Sequence, residues 1–117
     1  MIEVVNVAMA LLSIGLGAVG WLAPRRTMAM LDLRPVGSSM GHSEIRAASG
    51  ALFIGLGLGA IFFDESFAYA MLGFAWAGAA TGRLTSIIAD PAPTRRTHTF
   101  FAVEAVVAFL LLSLNLG

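Results

Sequence analysis

The sequence predicts an all-α integral membrane protein, an antiparallel bundle of four spanning helices. Three observations carry that prediction. Of 117 residues, 58% are hydrophobic and 12% are charged, whereas soluble domains run at about 45–50% apolar and about 25% charged. The mean hydropathy is +0.86. The apolar residues also gather into four runs of roughly 18–23 residues, the length a helix needs to cross about 30 Å of hydrocarbon. A soluble domain this small must cover a large surface with polar groups, and seven basic plus seven acidic residues cannot do so. The same balance excludes a disordered or nucleic-acid-binding chain, since both need excess charge.

The first span is read from Val4 to Leu22. Glu3 precedes it, no Arg or Lys does, and no small-residue cleavage site follows, so it is expected to be a retained span rather than a signal peptide. Pro24–Glu44 is a polar stretch in which Met28, Leu31 and Leu33 suggest a short interfacial helix over Thr27–Leu33. The second span runs from Arg46 to Phe63, and Asp64-Glu65-Ser66 makes a tight turn. Phe67 to Ala89 forms the third span. Asp90-Pro91-Ala92-Pro93 ends it, because proline cannot donate into a continuing helix. Thr99 to Leu116 forms the fourth. One domain fills residues 1–117.

All seven basic residues are arginine, and cysteine is absent. That absence removes disulfides, thiolate metal sites and cysteine nucleophiles. Arg25, Arg26, Arg34, Arg95 and Arg96 lie in the first and third connections, with Arg46 and Arg83 close to the same side. The second connection and both tails hold none. The positive-inside rule then puts those connections in the cytoplasm and both tails outside.

Gly15-x-Gly17-x-x-Gly20 imitates the dinucleotide-binding string, yet it falls within an apolar span whose N–H groups are already bonded. With Gly55-x-x-x-Gly59 and Gly78-x-x-x-Gly82, it is read as small-residue packing between membrane helices.

The chemistry is expected where charge enters the spans. Arg83 lies seven residues before Asp90, or about 10 Å inside the third helix, and Glu104 sits at a similar depth in the fourth. An unpaired charge there costs about 2.5–3.5 kcal/mol on insertion scales. The economical arrangement has Arg83 and Arg46 share Glu104, with Asp90 or Glu44 completing the cluster. Loss of Glu104 should then cost more than loss of Arg83. Tyr69, Trp76, Arg83 and Asp90 recur every seven residues on one stripe. Glu104, Ala108, Leu111 and Asn115 share a second face, Arg46, Gly50, Phe53 and Gly57 a third, and Asn6, Ala10, Ser13 and Gly17 a fourth. Two readings fit the cluster. In one it is a self-neutralised network that fixes register. In the other it floors a pocket open to the cytoplasm for an anionic lipid head group or small acid, with Trp76, Tyr69 and Phe53 on the walls. His42 and His98 read as solvated loop residues without metal-ligand spacing, and no Ser–His–Asp arrangement is present. No metal, cofactor or catalytic residue is implied.

Gly20-Trp21-Leu22-Ala23-Pro24, Glu44-Ile45-Arg46-Ala47 with Gly50, Gly82-Arg83-Leu84 with Asp90, and Glu104 in the last span carry a resemblance. In this order they resemble a family of small bacterial four-helix membrane proteins catalogued as a domain of unknown function and similar to DoxX-like proteins. The resemblance spans about Gly15 to Leu112 and departs from the pattern at Pro91 and at Ala48-Ser49. It implies a bacterial inner-membrane bundle and no established reaction.

The sequence therefore favours a non-catalytic membrane protein acting as an accessory or scaffolding subunit, packed against another membrane protein or a second copy of itself. The alternative is a binder of a lipid or small amphiphile through the Arg/Glu cluster at the inner leaflet. A redox helper, suggested by the DoxX-like analogy, is opposed by the missing cysteines. Its partners are the bilayer, a membrane protein or a bound lipid, and not nucleic acid.

Overall fold

The computed structural model describes residues 1–117 as five helices with no strand. They are α1 (Ile2–Leu22), α2 (Pro24–Met30), α3 (Met40–Phe63), α4 (Ser66–Ala89) and α5 (Arg95–Asn115). This is an all-α multi-pass membrane protein, but the expected antiparallel bundle of four spanning helices is corrected. Three helices, α1, α3 and α5, are long and apolar enough to cross a membrane. α4 has the length, at 24 residues, without the composition. It is rich in Gly, Ala, Ser and Thr, and adds Tyr69, Trp76 and Arg83. Such a surface gains little from lipid contact and needs protein around its polar groups.

The chain divides into two compact units, Ala8–Phe62, and Met1–Val7 with Phe63–Gly117. In the first, α1 and α3 run antiparallel with their backbones nearly touching. A β-carbon added at Gly57 would lie 2.7 Å from the Ala10 carbonyl oxygen, one at Gly17 2.6 Å from that of Gly50, and one at Gly50 2.6 Å from the Trp21 nitrogen. Only hydrogen fits there. Lipid supplies no hydrophobic drive between helices, so such close approach is how dispersion holds them.

α2 begins three residues before the expected interfacial helix, because Pro24 at its first position is preset for a helical φ. It also stops earlier than expected. Asp32 takes a left-handed φ of 58°, while the Leu33 N–H donates to Met28 and the Asp32 N–H to Ala29, a Schellman stop. Met28 is buried. α3 starts at Met40, six residues before the expected Arg46, and its Ile45–Ala51 stretch is π-helical. Such bulges are frequent at functional sites.

In the second unit α4 and α5 pack antiparallel. Asp64 turns the chain with φ 50° and accepts a 2.9 Å hydrogen bond from the Tyr69 hydroxyl. α5 starts four residues before the expected Thr99 because Thr94 and Thr97 form a reciprocal capping box. Gly73 lets α4 approach Leu111 and Leu112, and Leu72 and Leu111 are fully buried. At the chain ends, Asn6 and Asn115 exchange side-chain amide hydrogen bonds of 2.9 and 2.7 Å.

The expected inward faces are visible in the burial. Asn6, Ala10, Ser13 and Gly17 are all buried on α1, and Glu104, Ala108 and Leu111 on α5. On α3, Gly50 and Gly57 are buried, but Arg46 is exposed and Phe53 half-buried. The π-helical stretch, with about five residues bridged per bond in place of four, breaks the α-helical phase on which that face was drawn. The glycine expectation is corrected too. Gly15, Gly55, Gly59, Gly78 and Gly82 have nothing within 4 Å of an added β-carbon. The Gly55/Gly59 and Gly78/Gly82 pairs therefore do not build this fold.

Candidate functional site

Two polar centres emerge, one in each unit. The first is the Arg83–Glu104 pair between α4 and α5. Arg83 Nε donates to Glu104 Oε1 at 3.1 Å and Nη2 to Oε2 at 2.9 Å. This is the fork-to-fork geometry in which guanidinium and carboxylate bind most strongly. The Phe100 ring, one helical turn before Glu104, lies 5.4 Å from the guanidinium carbon, within cation–π range. The Glu104 side chain is 10% exposed and that of Arg83 31%. Both carboxylate oxygens accept from Arg83, and the two charges neutralise each other.

The other expected cluster members lie elsewhere. Arg46 belongs to the α1–α3 unit, where its Nη1 donates to the Trp21 carbonyl at 2.6 Å. Asp90 accepts from the Ser86 hydroxyl at 2.8 Å, and Glu44 is exposed on α3. Tyr69 and Trp76 are 2% and 5% exposed, core residues of the α4–α5 unit rather than walls of an open pocket. Phe53 is half-buried.

The second centre is a broad open cleft of about 1210 Å³ in the α1–α3 unit. The α1–α3 crossing builds it. Where Gly20 and Gly50 press together, α1 ends at Leu22, Pro24 redirects the chain into α2, and the N-terminal turns of α3 face the resulting corner. Arg25, Arg26 and Arg46 contribute three guanidiniums, joined by His42 and the hydroxyls of Ser38, Ser39 and Ser43. No aspartate or glutamate lines it, while Trp21, Leu22, Pro24, Ala47 and Ala51 supply apolar wall. The bond from Arg46 to the last turn of α1 also satisfies an orphan helix carbonyl and fixes the guanidinium at the rim. Chemically, the cleft can take an anion with several hydrogen-bond acceptors and an adjoining apolar group.

Of this lining, only Arg46 stood among the expected site residues. His42, expected as a loop residue, is helical, half-buried and part of the cleft. A signal for it exists. Ser39, Ser43 and Arg46 follow the spacing of one helix face, with His42 one turn before Arg46, but it becomes readable only if α3 starts at Met40.

A domain-family model, the domain of unknown function DUF4345, matches residues 1–115. No curated protein and no solved structure matches the chain.

Proposed function

This chain belongs to the DUF4345 family, and from that premise we propose that it is a non-catalytic membrane binder whose cleft holds the anionic head group of a lipid or small amphiphile. One observation carries the reading: three arginines, a histidine and three serines line a cleft without any carboxylate, beside Trp21 at the end of a membrane-length helix. Arginine forks match carboxylates and phosphates, and a tryptophan at a helix end suits the head-group level. The reading moves the binding site away from Glu104, whose oxygens Arg83 occupies.

The test is native mass spectrometry of protein purified in mild non-ionic detergent. The parent should retain an anionic lipid, and the Arg25→Gln/Arg26→Gln double variant should lose most of it. Arg34→Gln/Arg95→Gln removes the same charge from residues that do not line the cleft and should retain it. Equal retention by all three proteins overturns the reading.

A scaffolding role is the second reading, favoured by one observation. A β-carbon added on the Gly55/Gly59 or Gly78/Gly82 ridge would meet nothing beyond its own helix within 4 Å, as small-residue ridges awaiting another helix would. A stoichiometric protein partner in the same spectra, lost on Gly78→Leu/Gly82→Leu, would support it.

The orientation belongs to the same proposal. Arg25, Arg26 and Arg34 favour the cytoplasmic side for the connection after α1, and the Asn6–Asn115 bonds hold the start of α1 to the end of α5. A reporter active only in the cytoplasm should be silent when fused after Gly117 and active when inserted near Gly37. The reverse pattern would place the cleft on the opposite face.

A further inference from the structure

We infer that the cleft selects a phosphomonoester, a dianionic phosphate carried on a glycerol-like or similar stem, over singly charged phosphodiesters and carboxylates. The inference rests on the reading of the cleft as an anion site and narrows it. Charge is the first argument. Arg25, Arg26 and Arg46 line one cavity with no acidic residue among them. One guanidinium satisfies a monoanionic head group, which would leave the other two side by side and uncompensated. A phosphomonoester carries about −1.5 to −2 charges near pH 7 and offers three terminal oxygens, so two forks can engage it at once.

Geometry is the second argument. Arg46 uses Nη1 on the Trp21 carbonyl, which tethers the guanidinium and leaves Nε and Nη2 to serve a ligand. Arg25 and Arg26 are consecutive residues in the first turn of α2, so their side chains leave the helix about 100° apart. With Arg46 on α3, they approach a cleft ligand from separate directions, as a tetrahedral group requires and a planar carboxylate does not. Ser38, Ser39 and Ser43 line the same space with hydroxyls, which can donate to remaining phosphate oxygens or to a stem hydroxyl. Room is the third argument. About 1210 Å³ exceeds what a phosphate alone fills, and the Trp21, Leu22 and Pro24 wall accommodates the stem.

The phosphomonoester could be a lipid head group or a soluble ester, and the test separates them. Full-length protein in phosphatidylcholine nanodiscs is titrated with short-chain phosphatidic acid, short-chain phosphatidylglycerol, a fatty acid and glycerol 3-phosphate. Phosphatidic acid should bind about tenfold or more tighter than phosphatidylglycerol and the fatty acid, from its extra charge-assisted pairs. That preference should collapse in Arg25→Gln/Arg26→Gln and survive in Arg34→Gln/Arg95→Gln. Glycerol 3-phosphate binding as tightly as phosphatidic acid supports a soluble ester, and much weaker binding supports the lipid. Equal binding of phosphatidic acid, phosphatidylglycerol and fatty acid overturns the phosphomonoester inference while leaving the anion site standing. Absence of binding by all four overturns both. A preference for phosphatidic acid unchanged in Arg25→Gln/Arg26→Gln overturns the assignment to this cleft. Circular dichroism and size-exclusion elution matching the parent certify that the double variant is folded.

Discussion

Arg83→Leu should lower the thermal stability of the detergent-solubilised protein more than Glu104→Leu, and the double variant should recover part of the loss. The carboxylate is the buried member of the pair, its side chain 10% exposed against 31% for the arginine. Removing Arg83 strands a carboxylate whose two oxygens have lost both donors. Breaking a buried pair from one side typically costs about 3–5 kcal/mol, whereas replacing both members by apolar groups is often nearly neutral. Removing Glu104 strands a guanidinium that can extend along its stem towards the head groups and that keeps the Phe100 ring. This order is opposite to the one expected if Arg46 and Arg83 share Glu104. Melting curves of both single variants and the double decide it. Losses that simply add would show that the two side chains do not interact.

Gly50→Ala should be comparably damaging, although it adds one methyl group. The new carbon would stand 2.6 Å from the Trp21 nitrogen and 2.9 Å from both the Trp21 α-carbon and the Gly20 carbonyl carbon. These are main-chain atoms within a helix and cannot step aside one at a time, so α1 and α3 must separate along the crossing. Overpacking costs typically about 1–3 kcal/mol and occasionally more. The loss should reach function as well, because separation moves the Trp21 carbonyl away from Arg46 and opens the corner of the cleft. Gly78→Ala and Gly82→Ala are the controls. Nothing lies within 4 Å of either added carbon, and alanine is favoured over glycine in a helix by about 1 kcal/mol. Both should melt at or above the parent temperature. A Gly50→Ala protein as stable as these controls would show that α1 and α3 do not cross as closely as described.

Much of this was readable from residues alone, for identifiable reasons. A long apolar run has few structural outcomes, so α1, α3 and α5 could be placed to within a few residues at their apolar ends. Arg83 and Glu104 could be paired because depth in a membrane helix follows from counting, and isolated charge at that depth is costly. The Asn6–Ala10–Ser13–Gly17 face followed from helical period. What stayed hidden depends on main-chain partners and phase. The acceptor for Arg46 is a backbone carbonyl, which no residue type announces. The π-helical stretch Ile45–Ala51 interrupts the period that links Arg46 to Gly50. Every glycine looks alike in a sequence, so the ridges that match a packing string, Gly55/Gly59 and Gly78/Gly82, were indistinguishable from Gly17, Gly20, Gly50 and Gly57, which make the approach. The length of α4 alone matches that of a spanning helix, while its small and polar residues set it apart from α1, α3 and α5.

The paired amides of Asn6 and Asn115 have a consequence in time. Asn6 is 5% exposed in the finished protein, and its partner is made 109 residues later. At about 5–20 residues per second of synthesis, α1 waits on the order of 5–20 s before Asn115 exists. During that interval a primary amide near the end of a membrane-length helix must be satisfied by water or head groups, which holds the start of α1 at the bilayer surface. Only when α5 is complete can the two side chains exchange their bonds and let that end settle. Synthesis of α5 thus finishes the placement of α1, and a ribosome halted before Asn115 leaves α1 with its amide still hydrated.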